Sequence, residues 1–325
     1  MKKLNTYVCF FAATIFTFTS GCISIFGNGL GEATVTVRVV DDLGEPINEV
    51  RSRLLSLSWY NAPWGRTDTN GIFIIHLKDI YAEIGGYFEK QGYYGSKGKI
   101  WEWNDVDGRV PPVKTNFTVV LKRMIEAVPM KKREIIVYSP RLNEPIGFDL
   151  EIGDWVFPDG KGIIKDILFT MNTNYVLEHH EFLYHLSAEF PGEHNGIQSF
   201  LFPVYGNVSG HCMQSDLPPP PIAPETGYDK MYEFFIQQPS STKRISSFVE
   251  RRKWIFRTRT EVDDDGKIIA ANYGWAVKDI TISGKPDGSI GFWIIYYYNP
   301  DPHSRSLEPE EIADRQNKIS PFEGK

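Results

Sequence analysis

The sequence is poor in cysteine and carries no excess of positive charge. Its 325 residues include 3 Cys, at positions 9, 22 and 212. The 35 Lys and Arg are outnumbered by 41 Asp and Glu, which gives a formal net charge of −6. A basic surface of the kind that binds nucleic acid is therefore not expected. With so few cysteines, we expect packing rather than a disulfide framework to stabilise the core.

Apolar runs long enough for a transmembrane helix are also missing. A helix needs about 20 apolar residues to cross a bilayer, and the uncharged run from Tyr7 to Thr19 has 13. This run follows Lys2 and Lys3 and precedes the small residues Ser20 and Gly21. A charged start, a short apolar run and small residues before a cleavage site are typical of a secretory signal.

The stretch Thr19-Ser20-Gly21-Cys22 resembles the lipobox of bacterial lipoproteins, although that family prefers Leu where this chain has Thr19. The resemblance implies diacylation of Cys22, and two acyl chains make a stable membrane anchor. Ile23, in place of Asp, implies sorting to the outer membrane. We predict a signal peptide over 1–21 and a tether over 22–32; cleavage removes two Lys and no acid, so the net charge becomes −8. An ordinary signal peptide or an uncleaved anchor is the alternative.

Long stretches with helical periodicity are rare, and short alternating stretches separated by Gly, Pro, Asn and Asp predominate. This pattern predicts an all-β protein. Near its start, Val35, Val37 and Val39 alternate with polar residues and should share a buried face. The chain length suggests two domains, which we place at 33–124 and 125–302.

Three pieces of the first domain resemble the carboxypeptidase regulatory-like domain: VTVRVVDDLGEPINEV, TDTNGIFII and FTVVLKR. The resemblance implies a transthyretin-like β-sandwich without shared catalytic residues, which stiffens, spaces or binds. The chain departs from that family between Tyr81 and Pro112, where it is longer and more aromatic.

This aromatic insert contains the candidate binding residues. Trp101 and Trp103 are two positions apart and would share one face of a strand. With Tyr93 and Tyr94 they could bind a glycan or an envelope protein, because Tyr and Trp dominate binding hot spots. The alternative is that these rings fill a core, where large aromatics are usually found.

The second domain reads as about ten short strands joined by turns, which predicts a larger sandwich of jelly-roll type. Two of the predicted strands are Ile146–Phe157 and Gly162–Thr170. The strings TRTEVDDDGKIIAANYGWAVKDI, IGFWIIYYYNPDPHSRSLE and HCMQSDLPPPPIAPETGYD resemble a group of uncharacterised bacterial lipoproteins, which implies architecture only. Prolines 218–221 favour a rigid surface loop over a ligand for a proline-reading domain. Residues 303–325 are expected to form a polar tail, with a short helix over Pro309–Arg315.

Recognisable catalytic and metal motifs are missing. Five histidines at 179, 180, 185, 194 and 211 match no zinc spacing. The acidic turns at 105–108 and 263–266 lack the Glu that closes an EF-hand loop. No Gly-x-Ser-x-Gly, phosphate-binding loop or dinucleotide fingerprint is present.

We therefore predict no metal and no cofactor. The sequence favours a lipid-anchored cell-envelope protein that acts as a non-catalytic binding or structural module. The alternative is a glycan-active enzyme in the second domain, which would show paired acids in a concave pocket.

Overall fold

The computed structural model describes residues 31–55, 64–80, 83–102, 113–176, 181–201, 214–215, 217–240, 243–249, 252–285 and 288–318. Strands account for 58% of these residues and helix for 3%, so the predicted all-β fold class is confirmed. In these residues, the single helix is too short and too polar to cross a bilayer. The signal peptide and Cys22 lie outside the described residues.

The first unit consists of three sheets. Its strands are β1 (Gly31–Val40), β2 (Arg51–Leu55), β3 (Trp64–Arg66), β4 (Ile72–Ile80), β5 (Glu83–Glu89), β6 (Tyr93–Tyr94), β7 (Ser96–Glu102), β8 (Val113–Val120) and β9 (Lys122–Arg123). One sheet has the order β4-β1-β8, with β1 and β8 parallel. The other contains β7-β5-β2-β3, and β6 pairs with β9 separately.

The core of this unit follows the alternation in β1. Val35, Val37 and Val39 are fully buried, as predicted. They pack with residues of both larger sheets, including Leu54 and Phe88. The unit is therefore a sandwich whose apolar core lies between two sheets.

The second unit contains the remaining elements. They are β10 (Lys131–Tyr138), β11 (Pro145–Asp149), β12 (Asp154–Trp155), β13 (Ile167–Val176), β14 (Glu181–Glu189), β15 (Gly196–Leu201), β16 (Gln214–Ser215), β17 (Met231–Ser240), β18 (Lys243–Ser246), β19 (Arg252–Val262), β20 (Ile268–Ala276), β21 (Thr281–Gly284), β22 (Ile290–Tyr298) and α1 (Glu310–Lys318). The helix agrees with the prediction over Pro309–Arg315.

Two large sheets of the second unit pack face to face. One has the order β10-β22-β20-β19-β15, with β21 also paired to β22, and the other has β12-β11-β13-β14-β17-β18. Phe148 from the second sheet meets Phe292 from the first, with ring centroids 5.9 Å apart. Trp254, Phe169 and Phe234 belong to the same buried cluster. This arrangement is again a β-sandwich.

The predicted strand Ile146–Phe157 is wrong over its second half, and the predicted strand Gly162–Thr170 is wrong over its first half. β11 ends at Asp149 and β13 begins at Ile167, and only the two residues of β12 lie between them. The turn forms because the Asp149 side chain accepts nearby backbone hydrogen bonds, and because Gly153 adopts a φ of 79°.

The outer face of the β10-β22-β20-β19-β15 sheet is covered by a third apolar cluster. Trp275 and Tyr297 of this sheet are stacked, with centroids 4.9 Å apart. Leu307 and Ile312, from the end of the chain, are buried against this face. The described part of the segment expected as a polar tail is therefore packed, because its few apolar residues cover an otherwise exposed sheet.

Candidate binding surface

The aromatic insert does not form one exposed face. Tyr94 is 0% exposed and belongs to the third apolar cluster, between the two units. Tyr93 is half-buried; its hydroxyl accepts a hydrogen bond from Arg123 at 3.3 Å. Trp101 lies on the backbone of β7 opposite Ile84, and Trp103 lies outside the described residues. The proposed exposed surface is wrong for Tyr94, because the second unit covers its ring.

Contacts between the units explain the burial of Tyr94. Strand β16 from the second unit extends the first unit's sheet by pairing with β7. The Lys122 ammonium donates to the carbonyls of Pro218 and Pro219. Burial lowers the pKa of Lys122 to about 8. The Asp42 carboxylate raises this pKa, but by less than burial lowers it. Prolines 218–221 thus lie partly buried between the units instead of forming an exposed loop.

The other singled-out polar residues have structural partners. His185 Nε2 lies 3.7 Å from Glu233, and the His194 carbonyl accepts from Arg257 at 2.6 Å. Asp263 caps the 263–266 turn by accepting two backbone hydrogen bonds. Across the residues with described positions, no group of three His, Cys, Asp or Glu is arranged to hold a metal ion. Histidines 179, 180 and 211, and the 105–108 turn, lie outside those residues.

An exposed apolar surface is found instead on residues 150–166, between β11 and β13, which we call the apolar loop. Phe157 is 80% exposed and Ile163 is 79% exposed. Ile152 and Ile164 are exposed as well. Single exposed apolar side chains are common, whereas several within one short loop indicate an interaction site.

Asp149 holds both ends of the apolar loop. Its Oδ2 atom accepts the backbone N–H groups of Ile163 at 2.9 Å and Ile164 at 3.0 Å. Its Oδ1 atom accepts those of Glu151 and Ile152, both at 3.0 Å. One buried carboxylate therefore fixes the backbone directly beneath three of the exposed side chains.

Neighbouring strands hold the loop further. The Tyr296 hydroxyl, on β22, donates to the Leu150 carbonyl at 2.5 Å. The Arg133 guanidinium, on β10, donates to the Glu151 carbonyl at 2.8 and 3.2 Å. The loop is thus bonded to the opposite sheet of the sandwich as well as to itself.

Arg259 connects acids at the two ends of the apolar loop. Its guanidinium donates two hydrogen bonds of 2.9 Å to Asp166, one of 3.0 Å to Asp149 and one of 2.6 Å to Glu151. Arg259 has a φ of 53°, and the pairing of β19 with β20 shifts register at this position. This is a β-bulge, which redirects a side chain away from the regular alternation of the strand.

The three acids differ in their pKa values. Burial tends to raise the pKa of Asp149, but its backbone hydrogen bonds and the Arg259 charge together lower it below the usual range. A hydrogen bond from Lys131 is the largest cause of the lowered pKa of Glu151. For Asp166, burial outweighs Arg259 and raises the pKa. The acids are saturated with structural partners, which suits support of the loop rather than proton transfer.

The sequence contained a weak signal for this loop. The string WVFPDGKGII places apolar residues on both sides of Pro-Asp-Gly turn chemistry. We read these apolar residues as strand positions, since short apolar runs do not distinguish strands from loops. The register shift at Arg259 has no signal in the sequence.

The chain is therefore an all-β protein with two β-sandwich units. No protein-family model matches it, and no curated protein matches it. A chlorocatechol dioxygenase from Rhodococcus opacus 1CP is similar over 30% of this chain and 61% of its own, with 14% identity and a TM-score of 0.25. A Streptococcal ancillary pilin is similar over 67% of this chain and 58% of its own, with 11% identity and a TM-score of 0.20.

A protein of unknown function from Bacteroides fragilis NCTC 9343, described as membrane-associated, is matched over its full length and over 85% of this chain. Its identity is 8% and its TM-score is 0.22. Likenesses this distant do not bring a function to the chain.

Proposed function

We propose that this chain is an exported, lipid-anchored envelope protein whose apolar loop binds a partner protein, as a binding or structural module rather than a catalyst. The observation that carries the proposal is the exposure of Phe157 and Ile163 on a loop with a fixed backbone. Large apolar side chains in water add little to folding stability, whereas aromatic anchors contribute strongly to interfaces. A loop already held in one conformation loses less entropy when it binds.

The polar groups near the loop favour a protein partner over a glycan. Asp149, Glu151 and Asp166 all pair with Arg259. Asp149 and Asp166 also accept backbone N–H groups, and Glu151 also pairs with Lys131, so these acids are not free to bind sugar hydroxyls. The exposed residues of the loop that remain are mostly apolar, together with the positive charges of Lys161 and Lys165. The same pairing speaks against the alternative of a glycan-active enzyme at this position, because hydrolysis needs an acid that can donate its proton.

Site-specific photo-crosslinking tests the docking surface. With benzoyl-phenylalanine in place of Phe157, we expect one protein adduct of defined mass in intact cells. The control position is Leu43, which is 84% exposed on a turn of the first unit and should give no such adduct. Adding Ile163→Ser should reduce the adduct while leaving the melting temperature within about 1 °C, since surface changes cost little. Equal adducts at both positions, or none at position 157, would refute the proposal.

The anchor is tested separately at Cys22. Without the thiol no diacylglyceryl group can be attached, so Cys22→Ser should move the protein out of the detergent phase of a Triton X-114 partition or leave its signal uncleaved. A Cys22→Ser protein that is cleaved and still partitions with detergent would show that the lipobox interpretation is wrong.

A further inference from the structure

A second apolar feature lies in the second unit. It is a pocket of 310 Å³ between the β17–β18 hairpin of one sheet and β21 of the other. Its floor is formed by Phe234, Ile236, Ile280 and Ile282, which belong to the buried core of the second unit. The volume falls within the range of pockets that hold small molecules, about 300–1,000 Å³.

The pocket is open because two sheet edges face it. Among the residues with described positions, β18 pairs with β17 alone and β21 pairs with β22 alone. The sandwich therefore does not close between these strands. A ligand can reach core side chains here without unfolding any element.

A buried acid joins the two walls of the pocket. Asp279 is 0% exposed. Its Oδ2 accepts the Val249 N–H at 2.9 Å, on the segment that follows β18, and the Arg252 Nε–H at 3.0 Å. Its Oδ1 accepts the Trp254 indole N–H at 2.7 Å and the Ile280 N–H, beside β21, at 3.1 Å. Because one carboxylate holds both walls, the pocket is preformed.

The residues that line the pocket include one positive charge and no negative charge. Ser246 and Thr281 contribute hydroxyl groups, and Arg244 contributes the single charged side chain among the lining residues. Arg244 is exposed and forms no ion pair with any residue whose position the structure describes. A guanidinium beside an apolar pocket matches a ligand that has an apolar body and an anionic head group.

We infer that this pocket binds a single-chain amphiphile, with its alkyl chain on the Phe234–Ile282 floor and its carboxylate or phosphate head on Arg244. A neutral sugar fits less well, because the lining offers few polar groups and no acid. An uncharged alkyl chain would make no use of the guanidinium, which stays in contact with water. The inference is independent of the apolar loop.

The test is a displacement assay on the purified full chain with Cys22→Ser in every sample, so that no attached acyl chain competes. A dansylated undecanoic acid serves as the probe, below its micellar concentration. Hexadecanoate, hexadecyl phosphate and hexadecanol serve as competitors. We expect saturable binding of the probe, with hexadecanoate or hexadecyl phosphate about threefold stronger than hexadecanol, as an ion pair to an exposed guanidinium provides.

Three variants locate the site. Arg244→Gln should weaken the anionic competitors about threefold and leave hexadecanol unchanged. Ser246→Trp, which fills the pocket from its exposed rim, should abolish binding of all three. Lys243→Gln removes a neighbouring exposed charge whose side chain points to the other face of β18, and should change nothing. Melting temperatures confirm that each variant is folded.

Several results would overturn the inference. They are the absence of saturable probe binding, equal strength of hexadecanoate and hexadecanol, unchanged binding in Ser246→Trp, or an equal loss in Lys243→Gln and Arg244→Gln. A preference for hexadecyl phosphate over hexadecanoate, or the reverse, would identify the head group and support the site.

Discussion

Replacing Arg259 by Met should destabilise the second unit far more than loss of an ordinary surface ion pair. The Arg259 side chain is 18% exposed, while the side chains of Asp149 and Asp166 are almost fully buried. Without the guanidinium, the buried carboxylates of Asp149 and Asp166 and the nearby carboxylate of Glu151 lose the cation that they share. Removing one partner from such a buried group costs about 3–5 kcal/mol. We expect this loss at pH 7, with Met filling much of the space.

Backbone strain at position 259 is the same in wild type and in Arg259→Met. A non-glycine residue with positive φ is strained by about 1–2 kcal/mol, but Met and Arg both carry a Cβ and share this strain. The measured difference therefore reports the ionic contacts and side-chain packing. Arg259→Lys keeps the charge but cannot form the two parallel bonds to Asp166, so it should fall between wild type and Arg259→Met.

Urea unfolding followed by tryptophan fluorescence measures the effect, because Trp155 and Trp254 lie in the core of the same unit. The matched control is Arg141→Met, which removes ion pairs of 2.6 Å to Asp159 and 3.5 Å to Glu144 from a half-exposed side chain. Such surface pairs contribute about 0–1 kcal/mol. If Arg259→Met costs no more than Arg141→Met, the cluster does not hold the loop in the way argued.

Two further predictions concern buried carboxylates. The native pKa of Asp149 is lowered, so its contribution is present above the unfolded pKa of about 3.9 and is lost as pH falls through the native value. The difference in unfolding free energy between wild type and Asp149→Asn should therefore shrink below about pH 4, and a constant difference from pH 7 to pH 3 would contradict this. Glu308 is buried and accepts the backbone N–H groups of Ile125 and Glu126 at the junction of the units. Glu308→Ala should speed tryptic cleavage after Arg123 more than Glu308→Gln, which keeps one acceptor; equal rates in wild type and Glu308→Ala would show that this carboxylate does not secure the junction.

The junction between the two units buries side chains from both of them, which fully separate domains would not require. Tyr94 from the first unit is buried against Leu217 and Leu307 from the second. Burial, followed by the nearby Glu308 carboxylate, raises the pKa of Tyr94. The apolar core of residues 33–124 is made only of their own residues, but without the second unit Tyr94 would lose its cover.

Local features of the sequence were sufficient for the fold class. The alternation of Val35, Val37 and Val39 depends on residues two apart, and strand geometry directly converts that spacing into one buried face. Turns such as 263–266 were also recognisable, because Asp and Gly act on the backbone within four residues. The leader and Cys22 are read from the sequence alone and stay predictions.

Tertiary structure decided which residues became a site. Arg259 is 93 residues from Asp166 and 110 from Asp149 in the chain, and only the pairing of sheets and a one-residue bulge bring them together. The same holds for Tyr94, whose burial depends on strand β16 and the end of the chain. Periodicity reports which face of a strand is apolar, but not which distant segment covers that face. The exposure of Phe157 and the burial of Tyr94 therefore followed from long-range packing.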